Sequence, residues 1–552
     1  MKRFLKYALV TLAAIPFLLT AFLYGLYLTA DMEQPVVTID TAAYRVSVHS
    51  GYTACHDSFL RRNAHGIWEL YTAGPPEESG TAAGALTAGL MHYQEQVFVD
   101  QIREFIPSDG YLRFLGGMIR IFNRNLGEHI PEEYRREIYA RSLYCSHDFD
   151  AIGTPYERQL NYHAAHDIGH AMSQYMLVGC SSFAAWGGMS ADGKLVVGRN
   201  FDFYMGDDFA RNKVVTFCRP QAGHPFASIG WAGMVGVLSG MNAEGLTVTI
   251  NAAKGPVPFA SATPISILAR EILQHAATID QALAIARSRN TFVSESLLIA
   301  SARDGRAAII EKTPRETALY ESNGEYLVCT NHYQSEQFAA DQYNRENIAM
   351  TDSPYRFARL EELMAANAPL AVPAAVAMLR DQRGTGGANI GVGNDCSVNQ
   401  SIAHHSVVFR PAELRMWVST APWQGGPFIC YDLGAILRNP DPAAELCDAT
   451  REIPADTAYL AHDYPRVVAS RELGARIRKA MKAGTAADRE SIEAFALANP
   501  ESFHTWKLLG EYYRSQGDVT RAAESFGRAL EAGVPRRDEL EAIERLKSEC
   551  KP

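Results

Sequence analysis

The chain has 552 residues, 47% of them hydrophobic and 21% charged, with a net charge of −10. That length is enough to bury a large core and predicts more than one domain. There is no basic excess or basic stripe of the kind nucleic-acid binding requires, so nucleic acid is excluded as a partner, and the modest acidic balance signals only solubility.

Residues 1–35 stand apart. Lys2, Arg3 and Lys6 precede an uncharged apolar run from Tyr7 to Ala30, long enough for the roughly 20 residues that cross a bilayer. Basic residues ahead of the run predict a cytoplasmic N-terminus and an extracytoplasmic remainder, on the periplasmic or cell-surface side. Leu28-Thr29-Ala30 also fits a signal-peptidase site, but the run is longer than a usual signal core, and an uncleaved membrane anchor is the expectation. Outside the cytoplasm some of the nine cysteines could pair, and the odd count leaves at least one unpaired or in an intermolecular bond, with Cys180 the natural candidate. No Cys-x-x-Cys spacing points to zinc.

Residues 36–179 are predicted to form a helical segment, with helices over 80–94, 97–105 and 111–126 and a further start at Pro131-Glu132-Glu133. His163, His166 and His170 share one helix face. They suit a metal site or simple packing over a pocket. With no His-Glu-x-x-His acid and no Cys partner, packing is expected and no metal or cofactor is assigned.

Gly179-Cys180-Ser181-Ser182 then opens an apolar run, Ala191-Asp192-Gly193 marks a hairpin turn, and Gly198-Arg199-Asn200-Phe201-Asp202 follows on the returning strand. The hairpin brings Arg199 and Asp202 back to Cys180. A guanidinium beside a thiol is expected to lower its pKa, and a carboxylate there can orient an amine. Strands are predicted over 213–217, 227–231, 234–238 and 246–251, helices over 265–274 and 279–288, and strands over 293–300, 307–312, 316–322 and 326–330. Helices over 356–367 and 374–380 and strands over 406–410 and 416–419 complete the region. The order is that of an α+β chain. Cys396 and His404-His405 receive no role.

Beyond about residue 446 the pattern turns helical. Trp506, Leu509-Gly510, Tyr513, Ala522, Phe526 and Ala529 resemble one tetratricopeptide repeat. A lone repeat cannot stack on neighbours, so the expectation is a helical appendage packed on the preceding domain, with a partner-binding surface as the alternative.

The motifs together resemble the Ntn-hydrolases of the choloylglycine hydrolase and penicillin acyltransferase (peptidase C45) group. The resemblance runs over roughly residues 70–435. It is carried by the Gly74–Gly80 opening, Gly179-Cys180-Ser181-Ser182, Gly198–Asp202, the strand ending at Asn251, Leu327–Tyr333 with Asn331, and Ser353–Arg359 with Arg356. It implies a four-layer αββα sandwich and cleavage of the chain between Gly179 and Cys180. The new terminal Cys180 then supplies both nucleophile and, through its α-amino group, general base. An α-amino group titrates near ~7.7–8.0, which suits base work at neutral pH. By the same resemblance Arg199 and Arg356 stabilise the thiolate or bind substrate, Asp202 orients the amino group, and Asn251 and Asn331 form an oxyanion hole. Arg345 and Arg359 compete with Arg356 for its role.

The implied function is a self-processing amide hydrolase or acyltransferase acting on a linear acyl-amine carbon–nitrogen bond through a thioester, with a small-molecule acyl amide as substrate. The implied organisation is an anchor (1–35), a helical pro-segment (36–179), a catalytic domain (180–446) and a helical, tetratricopeptide-like region (447–552). Two alternatives remain: a catalytically silent membrane-anchored scaffold binding partners through its C-terminal helices, and an unprocessed Cys–His hydrolase using His332.

Overall fold

The computed structural model describes residues 17–30, 32–105, 108–171, 177–256, 258 and 261–550. Among the described residues seventeen strands form two sheets. The larger contains β1 (Ser47–His49), β2 (Tyr52–Cys55), β3 (Ser58–Arg62), β4 (Trp68–Gly74), β7 (Val214–Pro220), β8 (Phe226–Gly230), β9 (Ser239–Asn242), β10 (Leu246–Ala252), β11 (Glu295–Ser301), β12 (Arg306–Lys312) and β13 (Thr317–Tyr320), in that order. The smaller runs β14 (Tyr326–Cys329), β5 (Leu177–Gly187), β6 (Gly193–Tyr204), β15 (Ala403–Arg410), β16 (Arg415–Ser419) and β17 (Phe428–Asp432). All the pairings are antiparallel except β4 with β7.

Strand periodicity decides what each side chain meets. Val197, Leu327 and Val407 of the smaller sheet share one core with Val215, Ile229 and Leu298 of the larger, so the sheets pack face to face. Their neighbours on the opposite face, Phe183, Val196 and Val408, pack instead against Leu360, Met364, Val376 and Leu379 of the helices Ser353–Asn367 and Val372–Leu379. On the other side Val248, Ile250, Leu297 and Ile299 pack against the helices Ile265–His275 and Ile279–Ser288. The chain is α+β, as expected.

The β5–β6 hairpin forms as predicted. Gly193 takes a positive φ of 76°, which an L side chain adopts at a cost, and Asp192 Oδ1 accepts from the Lys194 amide at 3.1 Å. Other expectations need correction. Residues 47–74, assigned to a helical pro-segment, are strands β1–β4 of the larger sheet. Residues 234–238 form no strand; the strand begins at Ser239, because Asn242 Oδ1 accepts the Glu244 and Leu246 amides and closes the turn into β10. Strand β17 lay unread behind a Gly-Gly-Pro stretch.

The two helices read over 80–105 are one, Pro76–Phe105. It crosses the helix Glu132–Ser142 so closely that a Cβ on Gly80 would lie 2.6 Å from the Glu137 carbonyl oxygen. Buried Glu137 pairs with Arg141 and with Arg270 of the helix Ile265–His275, fastening this segment to the catalytic domain.

The anchor expected over Tyr7–Ala30 falls partly outside the described residues; residues 17–29 are helical, and among the described residues no helix is long and apolar enough to cross a membrane. All nine cysteines are free thiols.

Helices Tyr464–Ala483, Arg489–Ala498, Phe503–Ser515, Val519–Glu531 and Arg537–Glu549 build the C-terminal region. Gly510 lets two of them meet, since a Cβ there would lie 2.5 Å from the Phe526 ring. The region docks on the catalytic domain. Asp395 accepts from His504 Nε2 at 2.9 Å and Arg536 Nη1 at 2.6 Å, and the Asn499 side chain bonds both the amide and the carbonyl of Val392.

Candidate active site

Cys180 lies inside β5, opposite Phe201, with Gly179 opposite Asp202 and Ser182 opposite Arg199. The Gly179–Cys180 peptide is therefore part of a continuous strand, and Cys180 is completely buried. Its three polar atoms are each held by a residue expected at the site. The amide donates to Asn331 Oδ1 at 2.9 Å, the carbonyl accepts from Arg356 Nη1 at 2.7 Å, and Sγ lies 3.6 Å from Arg199 Nη2.

Arg199 is fully buried. Nη2 donates to the Ile250 carbonyl at 2.5 Å, and Nη1 reaches the Leu238 carbonyl, Ser239 Oγ and His405 Nε2. Its guanidinium sits over the Phe201 ring at 4.4 Å. Arg356 bridges the nucleophile strand and the end of β14: Nη1 also donates to Ser181 Oγ, Nη2 to Asn331 Oδ1 at 2.7 Å, and Nε to Asp352 at 2.8 Å. Arg356 is thus the arginine brought to Cys180, while Arg359 pairs with Asp381 and Glu362.

The electrostatics reverse one expectation. Burial pushes the Cys180 thiol above its ordinary pKa, and Arg199, which lowers it, is outweighed. In this state the thiol is protonated, not activated. Asp202 behaves in parallel: it is fully buried, and burial pushes its carboxyl up to about 8 against the pull of Arg356 and Arg199. Among the described residues neither of its carboxylate oxygens has a hydrogen-bond partner, although a buried polar group left unmade costs roughly 1–3 kcal/mol.

The two asparagines are present but otherwise engaged. Asn251 Nδ2 donates to the carbonyls of Cys329 and Thr330, both at 3.1 Å, and its Oδ1 accepts from Ser182 Oγ. Asn331 Nδ2 donates to the Ala252 carbonyl at 2.8 Å. Instead of pointing donors at an oxyanion, they tie β10, β5 and the segment after β14 together.

His332 does not serve Cys180. Its Nδ1 lies 2.8 Å from Ser353 Oγ, and burial lowers its pKa to about 4, so it is neutral. His163 spends both ring nitrogens, Nδ1 on the Gln159 carbonyl and Nε2 on the Val235 amide, in packing. The side chains of His166 and His170 lie outside the described ones. Cys396 is a buried thiol whose pKa burial raises strongly. Among the described residues the acidic and thiol groups of Glu69, Glu445 and Cys447 converge closely enough for a metal. Arg61, bonded to both glutamates, already supplies the cation there.

Sequence reasoning missed Ser239 and His405, which hold Arg199, and Asp352 and Ser353, which hold Arg356, Asn331 and His332. The adjacent His404-His405 was the one local signal. A register shift between Ala403 and His405 lets the pair turn towards Arg199.

Residues 189–422 match the family model described as Acyl-coenzyme A:6-aminopenicillanic acid acyl-transferase. The match begins after Cys180 and includes Arg199, Asp202, Asn251, Asn331 and Arg356. An "Uncharacterized protein" of Archaeoglobus fulgidus is 23% identical over 338 residues, 54% of this chain and 55% of the relative, so the chain spans about half the length of the curated relative it matches. Among solved structures, the Caenorhabditis elegans N-acylethanolamine-hydrolyzing acid amidase ortholog is 18% identical with a TM-score of 0.31, covering 42% of this chain and 93% of that one. A mutant of the conjugated bile acid hydrolase from Clostridium perfringens is 10% identical with a TM-score of 0.30, covering 49% and 95%.

Proposed function

We propose that the chain is the precursor of a self-processing, N-terminal-cysteine amide hydrolase or acyltransferase. The observation that carries this reading is Asp202: a buried carboxyl without a hydrogen-bond partner, across the strand pair from Gly179 and next to a thiol held by an arginine. A stable fold pairs such a group; a precursor leaves it waiting for an amine that does not yet exist.

In this reading the Cys180 Sγ attacks the Gly179 carbonyl carbon, the carbon–nitrogen bond breaks, and the Cys180 nitrogen takes the thiol proton. Water then hydrolyses the resulting thioester, leaving Gly179 as a carboxylate and Cys180 with a free α-amino group. That amine gains donors that the peptide nitrogen lacked. Asn331 Oδ1, already 2.9 Å from this nitrogen, accepts one, and Asp202 takes the charge. The ammonium in turn lowers the Asp202 pKa. With the peptide gone, the thiol attacks the carbonyl of a linear acyl amide, its proton passing through the amine to the leaving group. Asn251 and Asn331 can steady this oxyanion only once their amides leave the carbonyls they hold in the uncut chain, and water or an acceptor amine resolves the thioester.

We read the two facing sheets with their outer helices as the four-layer αββα sandwich of this group, and the helix pair around Gly510 and Phe526 as one tetratricopeptide-like repeat. The apolar run Tyr7–Ala30 would tether the precursor to a membrane with the site on the extracytoplasmic side. Carbonate extraction of membranes holding the full chain tests that point.

The decisive experiment is intact mass and N-terminal sequencing of the purified chain beside a Cys180→Ala control. A fragment starting Cys-Ser-Ser-Phe in the native protein and absent from the control is the expected result. A native chain that stays whole sinks the reading.

A further inference from the structure

The step that opens the precursor needs a donor for the oxyanion that forms on the Gly179 carbonyl, and the asparagine amides are engaged with the carbonyls of Cys329, Thr330 and Ala252. Gln400 is different. It is 4% exposed, and among the described residues its Nε2 has no hydrogen-bond partner. That nitrogen faces Gly179: a Cβ built there would lie 2.6 Å from Nε2 and 3.4 Å from Cδ and Oε1. A side chain at position 179 would displace the Gln400 amide from this place.

The turn that presents Gln400 is held from both sides. The Asn399 amide donates to the Asp381 carbonyl at 2.8 Å, and Asn399 Oδ1 accepts from the Ser401 amide at 3.0 Å. Ser401 adopts a left-handed φ of 55°, a conformation that a residue with a side chain keeps only when its surroundings enforce it. The enforcement comes from the C-terminal region. Tyr459 OH lies 2.9 Å from Ser401 Oγ, and Arg471 Nη2 donates to the Ser401 carbonyl at 2.5 Å.

We propose that Gln400 is a catalytic residue of the self-cleavage, donating from Nε2 to the Gly179 oxyanion, and that the C-terminal region positions it through Tyr459 and Arg471. As Sγ bonds to the Gly179 carbon, the carbonyl electron pair moves onto oxygen and the Gln400 N–H stabilises it. On collapse that pair re-forms the carbonyl as the bond to the Cys180 nitrogen breaks, and the thiol proton ends on that nitrogen. Gln400 gains and loses no proton. The C-terminal helices thereby take part in maturation although none of their atoms meets the scissile bond. The proposal rests on the self-processing reading.

The test follows cleavage over time by intact mass after cell-free synthesis of the full chain. Gln400→Met keeps the length and removes the N–H. It should slow cleavage by about 10²–10³-fold, the usual cost of one oxyanion donor. Gln400→Glu, ionised at pH 8, should be slowed at least as much. Tyr459→Phe should slow cleavage several-fold alone and not at all further in the Gln400→Met background, because it acts only through Gln400; a general loss of stability would add in both backgrounds. Each variant is also melted in the uncleavable Cys180→Ala background, and only variants that keep the native transition are scored. Gln400→Met or Gln400→Glu cleaving at the native rate overturns the proposal while leaving self-processing intact. A native chain that never cleaves overturns both.

Discussion

Two aspartates, one partly buried at the seam with the C-terminal helices and one fully buried beside Cys180, answer the same problem in opposite ways. Asp395, at the seam with the C-terminal helices, accepts from His504 and Arg536, and these cations hold its carboxyl far below the usual range despite burial. Asp202, beside Cys180, has no hydrogen bond to either oxygen, and burial carries it to about 8. A seam exists to be stable and satisfies its charge. On the proposed reading the site leaves a carboxyl without a partner, at a cost to stability, until an amine is released beside it. Buried groups whose environments drive their pKa values in opposite directions mark where a fold serves chemistry rather than cohesion.

The comparison breaks most sharply at Arg356, which joins Cys180, Ser181, Asn331 and Asp352. Arg356→Met should reduce self-cleavage by about 10²-fold or more, the scale of a lost charge-stabilising donor, as read by the time course of fragment formation.

Next is Asp202 itself, examined in the uncleavable Cys180→Ala chain. Unfolded, its carboxyl ionises near pH ~4; folded, near about 8. Between those values the unfolded chain has released a proton that the folded chain keeps, so stability falls as pH rises through this window. Asp202→Asn should remove that fall. It should stabilise the uncut chain by roughly 2–4 kcal/mol at pH 8 and hardly at all at pH 4, measured by urea unfolding at the two pH values. Stabilisation that does not depend on pH would mean that Asp202 is not the orphan described.

Asp395→Asn should act with the opposite sign. The depressed folded pKa means that its stabilisation is present above pH ~4 and lost as pH falls through the folded value. The substitution should cost roughly 1.5–3 kcal/mol at pH 7, the range for hydrogen bonds to charged groups, and less in acid. The smallest effect is local: Gly510→Ala presses a methyl on the Phe526 ring and should cost about 1–3 kcal/mol, lowering the melting temperature with the cleavage rate unchanged.

Much of this was legible along the chain. The Cys180 hairpin announced itself through Asp192-Gly193 between two apolar runs, and the strand-end asparagines through the turns before and after them. Arg356 was legible as a residue of a helix opening with Ser353-Pro354, although only the fold separated it from Arg359. Strands β1–β4 were not read, because they are short and earn their place by pairing with β7, far along the chain. His405 and Gln400 carried no local pattern pointing to the site. Their importance lies in which residues they touch across the sheets, Arg199 in one case and Gly179 in the other.

The sequence by itself determined the α+β class and the Cys180 hairpin, because periodicity and turn chemistry are local, while Asn251, Asn331 and Arg356 were named by the family resemblance rather than by any local pattern. The state of those residues was decided by the tertiary structure alone. Spacing put Arg199 beside the thiol and suggested a thiolate; packing buried both and raised the thiol instead. Desolvation sums over every segment that folds against a group, and no local stretch of sequence holds that sum.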